Sequence, residues 1–101
     1  MTKTLIAATL LALALPMSAI AGPIESACVK SDRKAASRSL CGCIQQVADM
    51  TLSGGEQRRA AQFFRDPDQA QKVRMSKSDR DNAFWARYKN FSETASAYCG
   101  G

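Results

Sequence analysis

The chain has 101 residues, 46% of them hydrophobic and 23% charged, with 14 Lys and Arg against 9 Asp and Glu and a formal net charge of +5. That length allows one small domain, and so modest a charge favours anionic partners only weakly and does not single out nucleic acid. Histidine is absent, which excludes Ser-His-Asp and Cys-His catalysis and removes the commonest zinc ligand.

The N-terminal segment has the layout of a secretory signal peptide. Lys3 supplies a positive start, an apolar run follows from Leu5 to Leu15, and Ala19-Ile20-Ala21 places small side chains one and three residues before a cut. The run is too short to span ~30 Å of hydrocarbon, and Pro16 interrupts it, so a retained membrane anchor is disfavoured. Cleavage after Ala21 is expected, with residues 1–21 removed. Residues 22–101 then form a single helical domain, periplasmic or secreted, with no membrane span. Losing Lys3 takes the net charge from +5 to +4. A domain of this size is one in which a hydrophobic core alone is marginal and covalent cross-links help.

Helical signals follow one another along the mature chain. Pro23 suits a first helical position, with Ile24, Ala27 and Cys28 on one face of a short helix that fades near Ser31. From about Arg33 to Met50, the residues Ala36, Leu40, Cys43, Ile44, Val47 and Met50 form one apolar stripe. Gly42 interrupts that helix at a cost of up to ~1 kcal/mol relative to alanine, and it is read as a place where another backbone approaches closely. Ser53 with Glu56 three residues on is a capping-box pattern opening a helix through Phe64. Asp66 and Pro67 end it and start a short helix burying Ala70, Val73 and at most Met75. The last helix runs to about Tyr98 with Phe84, Tyr88, Phe91, Ala95 and Tyr98 as its stripe and Trp85 on the flank. No stretch alternates with period two. The expected fold is all-α, a small disulfide-stapled bundle of about five helices.

Four cysteines in a short exported chain imply two disulfides among Cys28, Cys41, Cys43 and Cys99. Bonding Cys41 to Cys43 across one residue is strained, which leaves two pairings. On the helical wheel Cys43 falls on the apolar stripe and Cys41 lies about 120° to its side. The last helix should lie along that stripe, so Cys43–Cys99 with Cys28–Cys41 is preferred over Cys28–Cys43 with Cys41–Cys99. In the loop-entropy view the preferred bridges contribute on the order of 3 and 4 kcal/mol.

Five functional readings arise, two from these cysteines and three from other stretches. Cys41-Gly42-Cys43 could serve as a thiol–disulfide redox pair, but it lies mid-helix with structural partners at hand. Thiolate binding of Cu(I) with Met50 or Met75 finds no histidine or methionine-rich run in support, so no metal or other cofactor is expected. Leu52-Ser53-Gly54-Gly55-Glu56-Gln57-Arg58 resembles the signature motif of ABC-transporter ATPases, yet the chain has no Walker loop and no strand scaffold. Basic residues gather at Arg58, Arg59, Arg65, Lys72, Arg74, Lys77, Arg80, Arg87 and Lys89, the first five being the candidate anion-binding surface. Interspersed carboxylates suggest a solvated face, and the functional alternative is an anion-binding surface. Trp85, Phe84 and Tyr88 invite a ligand-pocket reading, although aromatics at helical spacing usually form core.

Several blocks together carry a family resemblance. They are Gly22-Pro23-Ile24-Glu25-Ser26-Ala27-Cys28, Leu40-Cys41-Gly42-Cys43-Ile44-Gln45-Gln46-Val47-Ala48-Asp49, Gln57-Arg58-Arg59-Ala60-Ala61, Phe63-Phe64-Arg65-Asp66-Pro67 and Ala97-Tyr98-Cys99. The mature chain resembles a family of small exported four-cysteine proteins of alphaproteobacteria, of unknown function, some of which carry the label "arginine transporter". The resemblance implies at most a periplasmic accessory to arginine transport and supplies no site residues. The expected role is a small non-catalytic binding or interaction module, its partner a periplasmic protein or an anionic component of the cell envelope.

Overall fold

The computed structural model describes residues 22–31 and 36–100. The signal-peptide reading of residues 1–21 lies outside these, as does Arg33. The second helix, expected from about Arg33 with Ala36 on its stripe, begins only at Arg38, because extended Ser37 caps it and leaves Ala36 ahead of it. The described residues form five helices and no strand: α1 (Pro23–Val29), α2 (Arg38–Thr51), α3 (Gly54–Arg65), α4 (Asp68–Met75) and α5 (Asp79–Tyr98). The chain is an all-α, disulfide-stapled bundle.

Local chemistry fixes the helix starts. The Ser37 hydroxyl accepts the Leu40 N–H at 3.0 Å and opens α2 at Arg38. Ser53 and Glu56 form a complete capping box at the start of α3, with the Glu56 carboxylate accepting the Ser53 N–H at 2.9 Å. Asp66 accepts the Asp68 N–H through its side chain at 3.2 Å, and Pro67 adopts helical angles ahead of α4. Ser78 accepts from Asp81 N–H and starts α5.

α2 is the central element, and it is covered on two sides. Cys41 and Gln45 are buried toward α1 and α3, while Leu40, Cys43 and Ile44 turn toward α5. At 100° per residue these faces lie about 120° apart. The expected single stripe is therefore corrected: Cys41, placed to one side by the wheel, is fully buried, and Cys43 on the stripe is only half-buried. Met50, also placed on that stripe, is 70% exposed. The physical reason is Gln45, a polar residue that masks the second buried face in any apolar count.

The core is one continuous cluster whose packing changes along it. Ile24, Ala27, Ala48, Ala60 and Ala61 fill the region where α1 packs on α2 and α3, and the short alanines let those backbones approach closely. Between α3 and α5 the spacing is wider and aromatic. Phe63 meets Tyr88 edge-on with ring centres 4.9 Å apart, and meets Phe84 edge-on at 6.0 Å. Two further residues depart from expectation: Met75 is 72% and Tyr98 is 74% exposed. Periodicity sets a residue's direction around its helix, but not how far along the axis a covering element extends.

Candidate functional site

Cys28 bonds Cys41 and Cys43 bonds Cys99, with Cα separations of 5.6 and 5.8 Å. The two cysteines flanking Gly42 thus tie α2 to α1 on one face and to the end of α5 on the other. Gly42 itself contradicts the close-approach reading. A Cβ there would meet no foreign backbone within 4 Å, only the Glu25 carboxylate at 3.8 Å, an ordinary contact.

Beside the first bridge lies a polar hub in the core. Gln45 Oε1 accepts the Glu25 N–H at 2.8 Å, and its Nε2 donates to Asp49 at 2.8 Å and to Gln57 Oε1 at 2.7 Å. Gln57 Nε2 in turn donates to Asp49 and to the Leu52 carbonyl. All four amide protons are used, so the network closes on itself and fastens α1, α2 and α3. It has no donor left for a ligand.

The sequence-level basic cluster separates into different environments. Arg59 pairs with Asp81 and sits over the Phe84 ring at 4.6 Å, joining α3 to α5. Arg87 on α5 pairs with Glu56 at the start of α3. The Ser53 N–H, then the Arg87 guanidinium, hold the Glu56 carboxyl below the usual carboxylate range. Arg59 does the same for Asp81, assisted by Ser76. Ser53, Glu56, Arg59, Arg80, Phe84 and Arg87 line a groove of about 320 Å³, and two of its three cations, Arg59 and Arg87, are paired with helix-fastening carboxylates.

A second groove, of about 400 Å³, has no carboxylate among the described residues that line it. It runs between α4 and α5, lined by Ala70, Gln71, Arg74, Trp85 and Lys89. Trp85 is half-buried, and its indole stacks on Tyr88 with ring centres 5.3 Å apart and 29° between planes. Each helix contributes one exposed cation, Arg74 from α4 and Lys89 from α5. Among the described residues no carboxylate pairs with either. Of the five basic residues singled out from the sequence, only Arg74 lines this groove. Arg58, Arg65 and Lys72 are exposed elsewhere on α3 and α4, and Arg59 is committed to Asp81. Lys89 belongs to the basic series of the sequence and Trp85 to the aromatic stripe of the last helix, but at 15 and 11 residues beyond Arg74 nothing local shows that the three meet. The signal for Trp85 was its place on the flank of the α5 stripe.

Among the described residues no group of His, Cys, Asp and Glu could hold a metal, and no helix is long and apolar enough to cross a membrane. Comparison with protein-family models, curated proteins and solved structures returns no match.

Proposed function

We propose that the mature chain is a small, non-catalytic binding module of the periplasm or extracellular space, and that it takes an anionic component of the cell envelope in the Trp85 groove. The observation that carries this reading is the unneutralised pair Arg74 and Lys89 beside the indole. At the neighbouring groove Arg59 and Arg87 are consumed in fastening helices and Glu56 stands in the lining; here both cations are spare and no carboxylate among the described residues lines the groove. Two disulfides fit an oxidising compartment. An accessory that binds arginine requires carboxylates facing an aromatic surface, and the charged lining here has the opposite sign. A redox pair at Cys41 and Cys43 requires the two sulfurs to bond each other, whereas each is engaged by a different distant cysteine.

Trp85 is the only tryptophan, so its emission reports on the groove directly. Titrating the oxidised exported protein with inorganic polyphosphate should change that emission saturably, and added salt should reverse it. Arg74→Gln with Lys89→Gln should weaken binding about tenfold, while Arg65→Gln with Lys72→Gln, the same loss of charge outside the groove, should change it little. Emission indifferent to polyphosphate, or equal weakening by both double variants, overturns the reading.

A further inference from the structure

Resting on that anion-binding reading, we infer that the Trp85 groove is a subsite for an acidic glycan, with a sugar ring on the indole and its carboxylate held by Arg74 and Lys89. Three features argue for a ring-bearing polymer over a bare anion. First, the indole is a fixed platform: Tyr88 stacks behind it, and Tyr88 is itself braced edge-on by Phe63. The apolar C–H face of a pyranose carries partial positive charge and matches the negative face of an aromatic quadrupole. Second, a polar side chain, Gln71, stands beside the platform with both donor and acceptor capacity for ring hydroxyls. Third, the site is an open trough between two helices, so a polymer can enter and leave it along its length. Its volume of about 400 Å³ lies at the small end of ligand sites, room for a short stretch of chain.

The cations set the sign of the ligand. The Arg74 guanidinium presents a planar fork that matches a carboxylate, and the Lys89 ammonium adds a point charge from the facing helix. A neutral glycan would leave both without partners. An anionic membrane surface is the competing ligand, since it also satisfies two cations. It would make no use of a braced aromatic platform with an amide beside it, and the groove lining has no large aliphatic side chain to receive acyl chains.

The test uses the oxidised protein and Trp85 emission, with tetragalacturonate as probe. Saturable binding is expected, with its methyl ester, the same rings without charge, at least about tenfold weaker. Phosphatidylglycerol vesicles should compete poorly at matched charge. Trp85→Leu, read by calorimetry because the fluorophore is gone, should weaken tetragalacturonate about tenfold yet leave polyphosphate binding within about twofold. Methyl ester binding as tightly as the acid overturns the inference, as does Trp85→Leu weakening both anions equally. Vesicles or polyphosphate binding where tetragalacturonate does not would overturn the glycan assignment and leave the anion-binding function standing. If no anion alters the emission, both fall.

Discussion

Gly22 lies so close to the Gln45 side chain that a Cβ at position 22 would stand 2.7 Å from the Gln45 amide carbon. Gln45 cannot move aside cheaply, because it is 2% exposed and bonded to Glu25, Asp49 and Gln57. Gly22→Ala should therefore lower stability by about 1–3 kcal/mol, the scale of overpacking a filled site. Gly42→Ala, in an open position within α2, should be neutral or stabilising by up to ~1 kcal/mol. Urea unfolding of the two variants separates them, and equal effects would sink the steric account.

Gln45 can be tested at its own position. Gln45→Leu should lose about 1–3 kcal/mol, because it strands the Glu25 N–H and the Gln57 carbonyl oxygen in a largely buried region. Gln45→Leu with Gln57→Leu should cost less than the sum of the two single changes, since removing both partners spares each the unpaired state. Strict additivity in this cycle would mean that the network is not a unit.

The two disulfides should differ in reducibility. Cys28 is 4% exposed and Cys41 is fully buried, whereas Cys43 and Cys99 are both half-buried. Thiol–disulfide exchange needs access to a sulfur, so limited reductant should open Cys43–Cys99 first. Alkylation after partial reduction, followed by peptide mass spectrometry, gives the order. Opening that bridge releases a loop with a sequence separation of 56, worth on the order of 4 kcal/mol in the chain-entropy model. Prior labelling of Cys28 and Cys41 would contradict the burial argument.

Acid should loosen the contact between α3 and α5. Hydrogen bonds from Ser53 and Arg87 depress the Glu56 pKa, and those from Arg59 depress that of Asp81. A carboxyl with a lower pKa in the folded state stabilises fully above its unfolded value, about 4, and loses that contribution as pH falls through the folded value. Thermal stability should be flat above about pH 5 and decline below about pH 4. Glu56→Gln should lower stability at neutral pH and reduce the acid slope. An unchanged slope would remove Glu56 from the account.

Much of the fold was legible in the sequence because it is written in short-range chemistry. Ser53 and Glu56, or Ser78 and Asp81, satisfy orphan N–H groups within three residues, so helix starts can be read without knowing what packs where. The aromatic face of α5 was visible for the same reason, since Phe84 and Phe91 share one side of a regular helix. The second buried face of α2 was not, because Gln45 is buried by virtue of partners 12 and 20 residues away. The candidate site was hidden in the same way: Arg74 and Lys89 looked like two of nine cations interspersed with carboxylates.

The sequence by itself determined the helical class, the capping box that opens α3 and the need for two cross-links, because caps, periodicity and cysteine chemistry act locally. Only the tertiary structure decided which cations are spent and which are spare. Arg59 and Arg87 are neutralised by Asp81 and Glu56 across the gap between α3 and α5, while the crossing of α4 on α5 brings Arg74 and Lys89 to Trp85 without a carboxylate among the described residues. Charge pairing depends on distance in space, which residue spacing along the chain does not encode.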